Sequence, residues 1–198
     1  MKLGVSHSVP AQADLRAELG WLWYPLSLPV AYGSQQGMLL GLTLPLRALF
    51  LPRAGAPPAA AGLGAADAAA AALAVLGLEV ARRADAALAA FAATRKPGDV
   101  LDAGLWRASR HPNHLGEQLF WVGFAGLALA HRGAWDPCCL GFLLNHVPDT
   151  LATLPLIDAR MASDTKRVRN FLKYEAAVPL IYPTPASIAR AFRGAKAD

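Results

Sequence analysis

Charge is what this sequence has least of. Charged residues fill 17% of its 198 positions, where soluble domains usually carry about a quarter. Cysteine is nearly missing as well. Cys138 and Cys139 are adjacent inside an apolar run, which excludes a disulfide framework and provides no metal-ligand spacing. Residues 1–19 are polar and contain no apolar core of the kind a cleavable leader needs, so no targeting signal is expected there. Asp14 to Glu18 reads as an amphipathic turn on a surface. Nucleic-acid motifs are also lacking. The net charge of +5 and the pI near 9.6 come from residues that are not spread over a polar face. No nucleic-acid partner is expected; anionic head groups or a phosphate-bearing cofactor suit such a basic surface beside apolar blocks.

What is present is apolar material in blocks. Hydrophobic residues reach 55% and the mean hydropathy is +0.31. Gly20 to Tyr32 opens on Trp21, Trp23 and Tyr24, residue types that favour a membrane interface. Pro25 and Pro29 predict a kinked or partial span. Ser34, Gln35 and Gln36 read as a cap and a solvated turn. Met38 to Leu51 resumes the apolar pattern, is interrupted by Pro45 and Arg47, and stops at Pro52–Arg53. Ala54 to Gly64 is a linker by composition. Its Gly62-Leu63-Gly64 with Asp67 lacks a preceding strand and the full spacing of a dinucleotide fingerprint.

Ala65 to Val80 predicts a strong helix that can span, exits at Arg82–Arg83 and keeps helical propensity to about Ala93. Arg95 to Gly98 breaks it and starts a polar hairpin. Leu119 to Ala130 is apolar, His131 to Gly133 is a short turn, and Pro137 to Ile157 is the next span, bent by Pro148 and Pro155. Asn145, His146 and Asp149 lie on one flank of that helix, facing protein or water. The tail, 158–198, is polar and basic with an apolar interlude at Val178 to Tyr182. Arg82, Arg83, Arg95, Lys96, Arg107 and Arg110 lie in one loop; most other basic residues lie in the tail, two spans later. Both regions therefore fall on one side, the cytoplasmic one. The expected fold is all-α, a multi-pass transmembrane helical bundle with about 4–5 spans and a cytoplasmic-side cofactor pocket. It divides into a polar segment at 1–19, a membrane domain at 20–183 and a basic tail at 184–198.

The polar cluster between the apolar blocks is Gly104 to Gly123, GLWRASRHPNHLGEQLFWVG. Pro112 disfavours helix at His111 and begins a helix whose first amides are free, which with Arg107 and Arg110 makes a phosphate site. Asn113 and Glu117 share a helix face and suit a ribose, an amide or a polar substrate group. Two other readings stand beside this one. His111, His114 and Glu117 have a spacing that can ligate a metal, without a fourth ligand nearby. Alternatively, Arg107 and Arg110 are membrane anchors, and Glu117 pairs with one of them.

Gly104, Leu105, Trp106, Arg107, Ser109, Arg110, His111, Pro112, Asn113, Gly116 and Glu117 match, without gaps, the signature of the steroid 5-alpha-reductase C-terminal family. A related family of uncharacterised multi-pass membrane proteins shares that signature. The chain resembles both over about residues 20–183, with Val100-Leu101-Asp102, Arg160-Met161, Tyr174, Pro183 and SQQGMLLGLTLPL near residue 34 also resembling their pattern. The resemblance implies a membrane-embedded NADPH-dependent reductase of a conjugated double bond in a lipid-like or steroid-like substrate. Hydride goes to the β-carbon, a polar group stabilises the enolate oxygen, and a proton donor completes the reduction. It assigns cofactor contact to Arg107, Asn113 and Glu117, the phosphates to Arg110, His111 and Arg160, the cofactor's outer edge to Tyr174, and catalysis to Glu117 and His114. A lipid-like substrate and membrane lipids are the implied partners, at the endoplasmic reticulum if the source is eukaryotic.

Three departures from the pattern stand out. Ala108 replaces an aromatic, His114-Leu115 replaces Tyr-Phe, and Asp158 takes the place of a Glu before Arg160. Relatives of that family also carry further N-terminal spans. Two other readings remain. One is an S-adenosylmethionine-dependent methyltransferase of the isoprenylcysteine carboxyl methyltransferase type, whose paired glutamates would fall at Ile157-Asp158-Ala159-Arg160. The other is a non-catalytic membrane protein retaining the fold.

Overall fold

The computed structural model describes residues 16–50, 63–132 and 140–194. The expected amphipathic turn begins outside them, as do Cys138, Cys139 and most of the linker. Every described element is helical. In order they are α1 (Trp23–Ser27), α2 (Ser34–Phe50), α3 (Ala65–Thr94), α4 (Pro112–Arg132), α5 (Leu143–Pro148), α6 (Leu154–Ser163), α7 (Val168–Ala177) and α8 (Pro185–Gly194). Short 3-10 turns cover Gly20–Leu22 and Gly104–Arg107, and π-helical turns cover Leu28–Gly33 and Asp149–Thr153. The chain divides into two compact units, residues 1–40 and 41–198.

In the first unit the expected break at Ser34 to Gln36 does not occur. The proline-rich stretch widens into the π turn and α2 starts directly at Ser34. A π turn absorbs the hydrogen bonds that Pro29 cannot make without ending the helix. Gln35 and Gln36 are helical and exposed.

The second unit is built on α3 and α4. Asp67 accepts a hydrogen bond from the Gly64 amide at 2.8 Å, so Gly64 and Asp67 cap the start of α3. Pro97 and Gly98 make the expected turn, with Gly98 at φ +96° and the Asp99 amide bonded to the Lys96 carbonyl at 3.1 Å. The chain then returns antiparallel as α4. The two helices meet through small residues: a Cβ at Gly77, Gly116 or Gly123 would fall under 3.0 Å from backbone atoms of the facing helix. Ala81 and Ala84 of α3, on the same face as Gly77, are buried too. Such close backbone approach suits pairs that associate by van der Waals contact.

That pair is unequal along its length. Its apolar halves lie side by side, Ala70 and Ala74 against Gly123, and its charged halves adjoin the 95–111 connection. Among the described residues no helix is long and apolar enough to cross a membrane. The helices are long enough, α3 at 30 residues and α4 at 21, but Asp67 and Glu79 interrupt the run expected to span at Ala65 to Val80, and Arg82 and Arg83 close it. In α4 only Leu119 to Ala130 is free of polar side chains, about 18 Å against a hydrocarbon core of roughly 30 Å.

The span expected to bend at Pro148 and Pro155 runs as α5, a π turn at Asp149–Thr153 and α6, which ends at Ser163 and so outlasts its expected end at Ile157. The tail holds more order than its polarity implies. Phe171, Tyr174 and Val178 form a buried cluster with Val100, Met161 and Ala162, and the apolar interlude buries Val178 and Ile181.

Candidate functional site

The signature folds as a buried knot. Trp106 donates through Nε1 to the Ala84 carbonyl on α3 at 3.2 Å. Tyr174 on α7 donates its hydroxyl to the Trp106 carbonyl at 2.6 Å. Ser109 is fully buried and accepts from the His111 amide at 3.2 Å. Pro112 is fully buried too, so the start of α4 lies inside the protein. Asn113, His114 and Leu115 of the first turn are half-buried.

Arg110 and His111 converge on one carboxylate. Asp158 on α6 lies 3.0 Å from His111 Nε2 and 3.1 Å from Arg110. The arginine contact is an ion pair without hydrogen-bond alignment, since Asp158 Oδ2 has no hydrogen-bond partner. Arg110 also pairs with Glu175 at 3.0 Å, and its amide donates to the Pro179 carbonyl at 2.9 Å. The motif thus ties α4 to α6, α7 and the interlude. Burial makes these charges mutually dependent.

Arg107 donates to the Asp102 carbonyl at 2.9 Å, and the Asp102 carboxylate pairs with Arg190 of α8. Asp102, Tyr174 and Arg190 line a polar cavity of about 380 Å³ with Asp99, Asn170 and Lys173. Asp102 Oδ1 and Arg190 Nη1 are buried there without hydrogen-bond partners. Burial raises the Tyr174 hydroxyl above the ordinary tyrosine range, with the Asp102 charge adding to it.

A second cavity, of about 360 Å³, opens beside α3 and α4. Leu42, Leu78, Ala81, Phe120 and Trp121 make it apolar; Glu117 and Asn145 are its polar groups. Beside Glu117 on α4, His114 Nδ1 lies 3.0 Å from Asp149. Gln118 donates to Thr150 at 3.0 Å and accepts from Tyr182 at 3.1 Å, and Tyr182 lies 2.6 Å from His146 Nε2. Asn145, His146 and Asp149 therefore all face protein.

The predicted residues fall into groups. Arg110 and His111 share Asp158, Arg107 and Tyr174 flank the polar cavity, and Glu117 lines the apolar one. Asn113 begins α4 with Oδ1 buried and lacking a hydrogen-bond partner. Arg160 is exposed on α6, two residues past Asp158 and about 200° around the helix, so it turns away from that carboxylate. His111, His114 and Glu117 gather no metal-binding cluster among the described residues. Sequence reasoning passed over Asp102, Gln118, Glu175, Tyr182 and Arg190 as site residues. Asp102, just ahead of the signature, and Gln118, inside the Gly104–Gly123 stretch, had a local signal.

No curated protein and no solved structure matches the chain. Residues 11–178 match the family described as "Protein of unknown function (DUF1295)". The match takes in the signature, both cavities except Arg190, and every tie from α3 to α7. The chain belongs to this DUF1295 family of proteins of unknown function.

Proposed function

We propose that the chain is a membrane-embedded NADPH-dependent reductase of a conjugated double bond in a lipid-like substrate, as the resemblance of Gly104–Glu117 to the steroid 5-alpha-reductase C-terminal family implies. The observation that carries the reading is the 360 Å³ cavity, apolar on most sides, with Glu117 of the signature and Asn145 as its polar groups. That is the usual make-up of a small-molecule site, in which apolar walls supply burial and a few polar groups set orientation.

The residues present fit NADPH at the polar cavity. Asp102 Oδ1 and Arg190 Nη1 are buried donors and acceptors left without hydrogen-bond partners, beside Lys173, Asn170 and Asp99. Carboxylates there suit ribose hydroxyls, and Lys173 and Arg190 suit phosphates. Ala81 of one cavity and Phe91 of the other are ten residues apart on α3, about 15 Å, a distance an extended dinucleotide bridges. When bound, the cofactor supplies hydride. Arg110 and His111, matched by Asp158 and Glu175, serve in this reading as ties that hold the signature turn. Asp149 orients His114 by engaging Nδ1, leaving Nε2 to exchange a proton. Glu117 presents a carboxyl to the substrate cavity.

Support for a membrane location is the apolar surface. Val75, Leu76 and Leu78 on α3, and Leu144, Val147, Leu151 and Leu156 along α5 to α6, are exposed, and large exposed apolar patches mark lipid or partner contact. The test is cofactor binding to the purified protein. NADPH at roughly a hundredfold over its dissociation constant should stabilise by about 2.7 kcal/mol, and S-adenosylmethionine should not. The reverse pattern sinks the reductase reading in favour of a methyltransferase; no effect of either favours a non-enzyme. Glu117→Ala, at the end of the dinucleotide that would enter the apolar cavity, should weaken the NADPH effect without preventing membrane insertion.

A further inference from the structure

Helix α8 is amphipathic the wrong way round for a helix packed on a protein. Thr184 and Ser187 cap its start reciprocally, the Thr184 amide on Ser187 Oγ at 3.0 Å and the Ser187 amide on Thr184 Oγ1 at 3.2 Å. Its polar side faces inward: Ser187 is buried and donates to the Ala108 carbonyl at 2.8 Å, and Arg190 pairs with Asp102. Its apolar side faces out. Ile188 and Phe192, one turn apart, are 41% and 72% exposed. A helix normally buries that stripe, so this one is docked by its polar residues and displays its apolar ones.

Charge decides what covers the stripe. Between Ala159 and Ala197 the sequence holds eight basic residues and two acidic ones, and no acidic residue follows Glu175 until Asp198. Arg193, beside Phe192, is exposed, with Nε on the Ala189 carbonyl of its own helix. A second copy meeting this face about a two-fold axis would set like charges against each other. An anionic leaflet meets it with attraction from the arginines and burial of the aromatic ring.

We propose that α8 is an interfacial helix that lays Ile188 and Phe192 into the surface of an anionic lipid leaflet. Its contacts with Asp102 and Ala108 then fix the signature turn, Gly104–Arg107, at head-group depth. This goes beyond the reductase reading and does not need α3 to α6 to span anything. α8 also lies outside the residues that match the family.

The test uses the full chain with Cys138 and Cys139 changed to serine, carrying single spin labels at Ile188→Cys, Phe192→Cys or Ala189→Cys, in nanodiscs of phosphatidylcholine with or without phosphatidylglycerol. Labels at 188 and 192 should collide with oxygen in preference to a water-soluble nickel chelate, and that at 189 less so. The preference should rise with phosphatidylglycerol, and Arg193→Glu should cancel the rise. Nickel-accessible labels at all three positions overturn the proposal, as does spin–spin broadening between copies, which would assign the face to self-association. Carbonate extraction separates the two readings. A chain stripped by carbonate whose labels are lipid-exposed on anionic discs keeps this inference and loses the multi-pass one; a chain that resists extraction with water-exposed labels does the opposite.

Discussion

At the scale of single residues, the signature's chemistry is mostly used on the protein itself. Asp158 answers both Arg110 and His111 from 47 positions away. Asp158→Ala should leave His111 Nε2 without its carboxylate and the buried Arg110 with Glu175 alone, at a cost of about 3 kcal/mol, measurable as a fall in thermal midpoint in detergent. A loss under about 0.5 kcal/mol would show that the pair is not buried in solution. Tyr174 gives a pH test. Its ionisation lies above the ordinary value of 10.0 because burial penalises the phenolate. A raised folded-state value means a stabilising contribution that is complete below pH 10 and lost as pH climbs toward the higher value. Tyr174→Phe removes a hydroxyl that serves two backbone carbonyls, so it should cost about 1–3 kcal/mol near neutrality. The gap to the unmodified protein should narrow above pH 10; a constant gap would argue that the hydroxyl is not desolvated. The neighbouring polar side chains of Arg107, Arg110 and His111 are evident in the sequence, but their partners are not. Nothing local announces that Asp158 or Glu175 lies opposite, because the pairing is made by the return of α6 and α7.

At the scale of elements, legibility followed composition. The Ala-rich run of α3, the turn at Pro97–Gly98 and the helix start at Pro112 all follow from residues acting on their own neighbours. Ser34 to Gln36 misled because polar residues resemble a cap, while a π turn upstream had already absorbed the proline defect. α7 and α8 were hidden by their charge. Phe171, Tyr174 and Val178 recur at helical spacing, but in a basic tail the spacing is easily taken for scattered apolar residues. The α3–α4 seam carries its own prediction. Gly116→Val would drive side-chain atoms into the Ala81 and Gly77 backbone, which should cost about 1–3 kcal/mol or more in melting experiments, since packed backbone yields little. Gly37→Ala is the counterpart. It is helical with nothing within 4 Å of an added Cβ, so it should gain up to about 1 kcal/mol. Equal effects at the two sites would mean that the close helix approach does not persist.

At the scale of the whole molecule, the membrane location proposed above has to be met by an all-helical protein without a full-length apolar helix among its described residues. The antiparallel pair α3–α4 answers through its asymmetry. Its uncharged halves lie together, roughly 16–18 Å long, and its charged halves lie together at the end carrying the signature. On the proposed membrane location, such a pair would immerse one end and keep the 95–111 connection and the basic tail at the head groups, the side that positive charge selects. This can be checked in proteoliposomes on a chain whose two native cysteines are changed to serine. Val75→Cys, on an outward side chain that is 67% exposed, should react with a membrane-permeant maleimide and resist an impermeant one until detergent is added. Asp99→Cys, at the turn beside Lys166, should react with both. Immersion at the α3–α4 end requires that contrast, because an exposed valine in water has no other reason to hide from a charged reagent. Equal labelling at 75 and 99 before detergent would place the apolar end in water, and the reading of this protein as membrane-embedded would fall with it.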